Sequence, residues 1–424
     1  MSKPTIAFCG MTHLGLNSAI AVADMGFPVV CFDPNAQLIA TLNDSVMPVQ
    51  EPGLDEMLAK NADRIRFTAD LGDLVGCDVA YIAPDVPTDE RGQSDLSPIR
   101  AIIDLVAANL NDAAILVVLC QVPPGFTRGL AFPADRLYYQ VETLVFGCAI
   151  ERARHPERYI IGCAEPDKPL PAAFVAVLAA AECPILPMRY ESAELAKISI
   201  NMCLVASVSV ANTMAELCEN IGADWSEIVP ALKLDRRIGQ YSYLKPGLGI
   251  AGGNLERDLT SVCNMAAEHG SDAGVVHAWI SNSKHRKDWA LRTLHEQLFQ
   301  DNPNAELGVL GLTYKEDTHS IKNSPSLALL ANIGQCSLKA YDPAIDFDPA
   351  WHPNGQNTTT PLAACQGVDA VAIMTPWGVF KDLAPAVIKN AMRGDLVLDP
   401  YAVLDGTTCA AAGLRRITLG KPAQ

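Results

Sequence analysis

This chain lacks the cysteine patterns that organise disulfide-rich and zinc-binding proteins. Its thirteen cysteines are scattered from Cys9 to Cys409, and no C-x-x-C pair occurs. This scatter predicts free thiols in a reducing cytoplasm, with no disulfide framework and no metal site. Near the start of the chain Lys3 is the only basic residue before a short apolar run, so we expect no secretory signal peptide.

The chain also lacks an excess of basic residues and a long hydrophobic run. Lys and Arg number 32 against 48 Asp and Glu, for a net charge of −16. That balance argues against a nucleic-acid or anionic membrane partner, although a phosphorylated small molecule needs only a few local donors. The longest apolar tract, Ala172 to Ala181, is shorter than the roughly 20 residues of a membrane-spanning helix.

Apolar periodicity predicts a chain of alternating strands and helices. In a chain of 424 residues we expect two or three domains. Short apolar runs, typical of the buried strands of a parallel sheet, lie at Thr5–Cys9, Val29–Phe32, Val79–Ala83, Ile115–Leu119, Leu307–Leu310, Ser337–Tyr341, Ala370–Met374 and Leu396–Leu398.

The middle of the chain has a different pattern. From Glu191 to about Asn220 there is no Gly or Pro, and apolar residues recur at helical spacing. This predicts a long helix that forms a spine or a dimer interface. A second helical region is predicted from about Leu255 to Gln300, before a linker at Asn302-Pro303-Asn304.

A glycine turn between the first strand and the first helix predicts a dinucleotide site. The turn comprises Gly10, Thr12, His13, Leu14 and Gly15, and Asp33 ends the second strand 23 residues after Gly10. Backbone N–H groups at such a junction bind a pyrophosphate. The aspartate accepts ribose hydroxyls and repels a 2′-phosphate, which favours NAD over NADP. Thr12 replaces the usual middle glycine, so a purely structural turn remains the alternative.

These patterns together predict an α/β protein with two Rossmann-like open parallel-sheet domains joined by a central helical domain with a long spine helix. The predicted boundaries are residues 1–185 for the NAD-binding domain, 186–300 for the helical domain and 301–424 for the last domain.

Motifs along nearly the whole chain resemble the UDP-glucose/GDP-mannose dehydrogenase family, in the same order. They are Glu51-Pro52-Gly53-Leu54, the helix motif Glu194-Leu195-Ala196-Lys197-Ile198-Ser199-Ile200-Asn201, the glycine loop Lys245–Asp258, Gly311–Thr318, Ser324-Pro325 and Tyr341-Asp342-Pro343. The resemblance implies a nucleotide-sugar substrate bound by the last domain, NAD as cofactor, and a homodimer formed through the central helices.

The resemblance also implies a reaction, a four-electron oxidation at C6 of a nucleotide sugar. In the family a cysteine captures the first-formed aldehyde as a thiohemiacetal, which is oxidised to a thioester and hydrolysed to a uronate. Pro87 and Gln121 are further cofactor-binding candidates on the same grounds.

Four candidate catalytic residues match the family motifs. Lys197 and Asn201 lie four residues apart, so they share a helix face where they can stabilise a developing alkoxide. Asp258 matches the aspartate that orients the base, and Glu142 matches a base for the hydrolytic water. As isolated residues, a solvated lysine and a helix N-terminal aspartate are the structural alternatives.

The largest departure is Asn254, which stands where the family has its cysteine. An amide side chain forms neither a thiohemiacetal nor a thioester. Cys263, nine residues later, is interpreted as a core thiol, and Cys120 is either a packing thiol or a substitute nucleophile. The second family glutamate is replaced by Phe146.

The substrate-binding segments have also changed, because Lys322 stands where the family has an arginine, and Lys is only a point donor. The candidate substrate-binding residues are Leu244, Gly249, Gly252, Arg237, Lys315 and Lys322.

Three functional hypotheses follow. The leading one is an NAD-dependent oxidoreductase on a nucleotide sugar or a related phosphorylated polyol, limited to a two-electron or redox-neutral reaction. The second is the four-electron dehydrogenase acting by a non-standard route, and the third is a non-catalytic nucleotide-binding paralogue.

Overall fold

The computed structural model describes residues 3–86, 89, 94–334 and 336–422. The chain divides into two compact units, Met1–Ile200 and Asn201–Gln424. The second unit contains both the central helices and the C-terminal sheet, so the division into three domains stays a prediction. Pro87, a cofactor-binding candidate, lies outside the described residues.

The first unit is built on an eight-stranded sheet. Its strands are β1 Ile6–Cys9, β2 Val29–Phe32, β3 Ile65–Thr68, β4 Val79–Ile82, β5 Ile115–Val118, β6 Leu137–Gln140, β7 Tyr159–Cys163 and β8 Ile185–Arg189. Its helices are α1 His13–Asp24, α2 Ala36–Asn43, α3 Leu54–Lys60, α4 Ser97–Ala107, α5 Ala149–Arg154 and α6 Ala172–Ala179, and α7 Tyr190–Ile221 follows β8.

The strand order of this sheet is β3-β2-β1-β4-β5-β6-β7-β8. All pairings are parallel except β6 with β7, which is antiparallel. Strand order reverses direction between β1 and β4, and in such sheets a ligand crevice opens at the carboxyl ends of those two strands. Strands β1, β2, β4 and β5 are fully buried, which explains their unbroken apolar sequences.

The second unit combines helices with a six-stranded parallel sheet of order β11-β10-β9-β12-β13-β14. Its helices are α8 Trp225–Leu234, α9 Asn254–His269, α10 Gly274–Lys287, α11 Trp289–Leu294, α12 Pro325–Leu330, α13 Pro361–Cys365, α14 Gly378–Lys381, α15 Pro385–Ala391 and α16 Gly406–Ala411. Its strands are β9 Leu307–Leu310, β10 Leu338–Tyr341, β11 Gly355–Asn357, β12 Ala370–Ile373, β13 Leu396–Leu398 and β14 Arg415–Ile417.

The predicted fold class is confirmed. Both sheets reverse order beside their first strand, as a Rossmann-like sheet does. Every strand predicted from apolar runs is present, with ends that differ by at most one residue. The second helical region is divided into α9, α10 and α11, because Gly270 ends α9 in the left-handed conformation.

Helix α7 contains the boundary between the two units. It runs for 32 residues because no glycine or proline interrupts it. By length and composition it is the one described helix apolar enough to cross a membrane, although a helix within a protein core passes the same test. Two polar residues of this helix are buried and hydrogen-bonded. Glu194 accepts from the Thr127 amide, and Asn212 accepts from the Gly247 amide.

A buried ion pair connects α7, α10 and α11 with the C-terminal segment. The Arg286 guanidinium is fully buried and donates to Glu219 Oε1 at 2.9 Å. Glu219 also accepts from Trp289 Nε1 at 3.1 Å and from the Gly420 amide at 2.8 Å. Since one carboxylate serves three elements, loss of its cation leaves a poorly compensated buried charge.

We predict that Arg286→Ala lowers the free energy of unfolding of the second unit by about 3 kcal/mol or more, as for a broken buried ion pair. The matched control is Arg292→Ala, since Arg292 also pairs with α7 but is 36% exposed; its expected cost is below about 1 kcal/mol. All five tryptophans lie in the second unit, so urea denaturation followed by tryptophan fluorescence measures both. Equal losses of unfolding free energy in the two variants would contradict the assignment of Arg286 to a buried ion pair.

Candidate active site

A cavity opens at the carboxyl ends of β1 and β4 in the first unit. It has a volume of about 340 Å³ and is lined by Gly10, Asp33, Pro34, Pro84, Asp85, Pro98, Ile99, Ala101, Ile102 and Leu105. It lies beside the glycine turn, where a dinucleotide-binding sheet receives the adenosine half of its ligand. Its apolar walls fit an adenine ring, and two aspartates, Asp33 and Asp85, lie in its lining.

Gly10 makes the turn at this cavity possible. Its φ is +102°, and a Cβ at this position would lie 2.8 Å from the Pro84 nitrogen. Helix α1 then begins at His13, so the N–H groups of its first turn face the carboxyl end of the sheet. Leu14 is buried, and Gly15 lies against the Gly10 carbonyl. The residues therefore fit the ribose and adenine portions of NAD.

Asp33 holds the glycine turn. Its Oδ2 accepts a hydrogen bond from the Met11 amide at 2.8 Å, and its Oδ1 accepts from the Asn35 amide at 2.9 Å. The carboxylate thus stands at the end of β2 beside the cavity, where an acid excludes a ribose 2′-phosphate.

The first amide of α1, that of His13, already has an acceptor. Asp85 Oδ2 accepts from the His13 amide at 3.1 Å, and the Asp85 amide donates to Thr12 Oγ1 at 2.8 Å. Sequence reasoning missed Asp85. Its signal was an acidic residue three positions after the end of β4, the strand beside which strand order reverses.

Glu51 is a second residue that sequence reasoning assigned no role. It is buried, and its Oε2 lies 3.0 Å from His13 Nε2. It also accepts from the amides of Gly147 and Ala149 at 3.2 and 2.7 Å. Phe146 stacks on the His13 ring with centroids 4.0 Å apart. The glycine turn is therefore connected to the segment that follows Glu142.

Lys197 and Glu142 form a largely buried pair in the first unit. Lys197 Nζ lies 3.2 Å from Glu142 Oε2 and donates to the Glu142 carbonyl at 2.8 Å. Holding the ammonium by two oxygens orients it while leaving one of its N–H donors for another ligand. The two candidates from separate sequence motifs are thus brought together.

Cys120 follows β5 inside the core. It is fully buried, and burial raises the pKa of its thiol to about 12. Since the thiolate is the nucleophile, this environment is that of a packing residue. Gln121 comes next, and the turn beyond it is held by Glu194, which accepts from the amides of Gly125 and Thr127. Burial raises the pKa of Glu194.

In the second unit Asn201 and Asp258 form a buried pair. Asn201 Nδ2 donates to Asp258 Oδ2 at 2.5 Å, and Arg257 Nε lies 3.2 Å from Asp258 Oδ1. Asp258 is 1% exposed, so these hydrogen bonds compensate for the removal of its carboxylate oxygens from water. Lys197 and Asn201 are one turn apart on α7.

Asn254 is the first residue of α9 and is exposed. It therefore occupies a helix N-terminus, the position at which a cysteine would have a lowered pKa. Cys263 lies on the same helix nine residues later, about 13 Å further along its axis. Burial also raises the pKa of the Cys263 thiol. With this distance and this raised pKa, Cys263 does not replace a nucleophile at position 254.

The glycine loop before α9 is packed closely against its own unit. The Ile250 amide donates to Ser283 Oγ at 2.8 Å. Gly249 has a φ of +77°, and a Cβ there would lie 2.4 Å from the Ser283 carbonyl oxygen. Gly252 donates to the Lys322 carbonyl at 3.0 Å. The loop's shape therefore depends on glycine at both positions.

The other substrate-binding candidates differ in their surroundings. The Leu244 side chain packs with Ala211 and Ala215 in a small core, and its carbonyl accepts from Trp225 Nε1. Lys315 Nζ lies 5.9 Å from the Tyr314 ring centre, and the Lys322 side chain lies beside Gly253. Arg237 is 88% exposed and pairs with Asp235.

No group of three or more His, Cys, Asp or Glu side chains able to hold a metal ion occurs within the described ranges.

Three family models match this chain in order. They are the NAD binding domain of the UDP-glucose/GDP-mannose dehydrogenase family at residues 4–177, its central domain at 191–284 and its UDP binding domain at 308–406. Together they cover most of the sequence.

Curated relatives of similar length also match. The UDP-glucose 6-dehydrogenase of Pseudomonas aeruginosa is 30% identical over 97% of this chain and 96% of its own length. The UDP-glucose 6-dehydrogenase TuaD of Bacillus subtilis is 29% identical, covering 99% of this chain and 93% of its own.

Solved structures of low sequence identity share the fold. A UDP-glucose dehydrogenase from Pyrobaculum islandicum has a TM-score of 0.82 at 24% identity, covering 96% of this chain and 98% of its own. A UDP-D-ManNAc dehydrogenase from Pyrococcus horikoshii has a TM-score of 0.83 at 23% identity, covering 98% and 99%. With the family models, the curated relatives and the cofactor turn in agreement, the chain belongs to the UDP-glucose/GDP-mannose dehydrogenase family of NAD-dependent enzymes that oxidise a CH–OH group of a nucleotide sugar.

Proposed function

We propose that this enzyme moves a single hydride at a carbinol of a nucleotide sugar, or of a related phosphorylated polyol, without forming a thioester. The observation that carries this proposal is the exposed amide of Asn254 at the start of α9, combined with intact Lys197–Glu142 and Asn201–Asp258 pairs. A carboxamide cannot add to an aldehyde as a thiolate does, so the residues for acylation and those for hydride transfer are separable.

NAD, when bound, supplies the hydride acceptor. The residues that would hold it are Gly10 and Asp33, which line the cavity at the ends of β1 and β4, and Thr12 and His13 in the adjoining glycine turn. Their contribution is to position the ligand, because glycine allows close backbone approach and Asp33 excludes a 2′-phosphate.

Lys197 stabilises the developing alkoxide. Its ammonium is positioned by two oxygens of Glu142 in a largely buried setting, where charge–charge interactions are stronger than in water. Glu142 limits the rotation of this ammonium.

Asn201 and Asp258 form another pair of candidate catalytic residues, within the second unit. Asp258 accepts from Asn201 Nδ2, which leaves the amide oxygen and its second N–H to orient a hydroxyl or a water. Arg257 balances the buried carboxylate. The pair therefore places a buried carboxylate beside a polar amide.

Without a thiol three outcomes are chemically open. The reaction stops at a carbonyl or returns the hydride in a redox-neutral isomerisation, which are the two outcomes of the two-electron proposal. The third, oxidation of a free aldehyde hydrate to a uronate, is a route for the four-electron alternative. The UDP binding domain model and the relatives' names support a nucleoside diphosphate sugar as the substrate class.

A homodimer in the cytoplasm completes the proposal. Exposed apolar residues on α7 recur at alternating spacings of four and three; this α7 stripe comprises Val210, Met214, Leu217 and Ile221. Such a seam is typical of helix pairing, and its residues are 40–73% exposed in the single chain. All thirteen cysteines are free, which suits a reducing compartment.

The function is tested by incubating the purified enzyme with NAD and a panel of UDP- and GDP-sugars, with products identified by mass spectrometry. We expect a carbonyl or isomerised product and at most one NADH per sugar. Asn254→Cys is expected to form uronate with two NADH per sugar, because a thiol at this helix N-terminus has a lowered pKa. Asn254→Ser is the matched control.

Uronate with two NADH per sugar from the unaltered enzyme would overturn the two-electron proposal and favour the four-electron alternative. NAD binding with no product from any sugar would favour the non-catalytic paralogue.

We predict that Cys120→Ala leaves turnover within about threefold of the original value, because a buried, protonated thiol is not a nucleophile. Lys197→Met, the positive control, is expected to lower kcat by about 100-fold or more through loss of oxyanion stabilisation. Steady-state kinetics at pH 7.5 measures both. Loss of activity in Cys120→Ala, with thermal stability unchanged, would instead identify Cys120 as the substitute nucleophile.

We predict that Leu217→Glu converts the dimer into monomers, since it places a charge within the α7 stripe. The control is Val387→Glu, the same change at a residue of similar exposure on α15. Sedimentation velocity distinguishes the species. A monomeric unaltered protein, or equal effects of both variants, would contradict the assignment of the stripe.

A further inference from the structure

In the cofactor site, the carboxylate of Asp85 lies where the negatively charged pyrophosphate of a dinucleotide has to bind. Asp85 Oδ2 accepts from the His13 amide, the first residue of α1. In dinucleotide-binding sheets the N–H groups at this helix start are the donors for the pyrophosphate. Since a single N–H cannot serve both anions at full strength, Asp85 and the cofactor compete for it.

We propose that Asp85 is a determinant of cofactor affinity, because its carboxylate occupies the pyrophosphate donor of α1 and must be protonated or displaced before a dinucleotide binds. The inference rests on the family's NAD site and holds whichever sugar is the substrate. It makes cofactor binding proton-linked.

The second contact of Asp85 keeps its carboxylate at this place. The Asp85 amide donates to Thr12 Oγ1, and the Thr12 hydroxyl reaches the Ala83 carbonyl at 3.5 Å. Thr12 is the residue that replaces the middle glycine of the turn. Thr12 and Asp85, the two departures from a simple glycine turn, are therefore directly linked. The Thr12 hydroxyl holds Asp85 beside the start of α1.

The charged groups around Asp85 come from three directions. His13 lies on α1, Glu142 lies beyond β6, and Asp33 shares the cavity at the end of β2. Although more than a third of Asp85 is exposed, it stands within the crevice, and this partial desolvation is the main cause of its raised pKa, with Glu142 adding repulsion. His13 and Thr12 act in the opposite direction.

The sign of the pH effect follows from linkage. A bound pyrophosphate removes the His13 hydrogen bond from the ionised carboxylate and adds negative charge beside it, so the pKa of Asp85 is higher in the complex than in the free protein. Binding therefore takes up a proton. The Kd is lowest at acidic pH and rises as the pH passes above the pKa of Asp85 in the free protein.

The test compares Asp85→Asn with the unaltered protein by isothermal titration calorimetry, with NAD and ADP-ribose as pyrophosphate ligands. We expect the variant to bind both about tenfold more tightly or better at pH 7.5. Adenosine, which has no phosphate, is expected to bind both proteins equally. Asp85→Ala is the second variant, and thermal unfolding checks that both are folded.

The matched control is Asp95→Asn. It removes the same charge from the same connection between β4 and α4, but Asp95 accepts from the Ser97 amide and not from the glycine turn. We expect no change in NAD affinity. Because His13 is present in every protein, the difference in pH dependence between the unaltered protein and Asp85→Asn isolates Asp85.

Four results would overturn the proposal. They are NAD affinity in folded Asp85→Asn that is unchanged or weaker, equal tightening in Asp95→Asn, tightening that extends to adenosine, and a pH dependence of Kd identical in the unaltered protein and Asp85→Asn. Failure of every protein to bind NAD would also refute it, by removing the cofactor site. Failure to turn over a sugar, with the affinity shift present, would affect only the proposed reaction.

Discussion

Backbone amides that follow the first strand of each sheet are held by an aspartate at the end of the neighbouring strand. Asp33 accepts from Met11 in the first unit, and Asp342 accepts from Leu312 and Thr313 in the second. These carboxylates orient the turns at the two places where strand order reverses. A ligand crevice opens at these places. The direction in which the backbone N–H groups of each turn point therefore depends on one aspartate, half-buried in the first unit and buried in the second.

The candidate catalytic groups obey the same electrostatic constraint. Lys197 is paired with Glu142, and Asp258 is shared by Asn201 and Arg257. Burial makes an unpaired member of either set costly. Neither set contains Asn254. The packing and charge balance of these sets therefore do not depend on the side chain at position 254.

Much of this was predictable from local patterns. Fully apolar segments such as those of β1 and β5 are typical of buried parallel strands, and the absence of glycine and proline predicted α7. The antiparallel pairing of β6 with β7 was not predictable, because pairing direction depends on where the connection between them returns to the sheet. The burial of Cys120 was not predictable either, because a thiol that follows a strand can face the solvent or the core.

The succession of strands and helices along the chain, the glycine turns and the asparagine at position 254 could be read from the residues themselves. Each of these acts within a few positions through backbone freedom, periodicity or side-chain chemistry. The partners of the charged groups required the folded chain. Asp85 meets His13, and Glu142 meets Lys197, across 72 and 55 residues. Such contacts arise only when packing brings distant strand ends and helices together, and no local pattern encodes them.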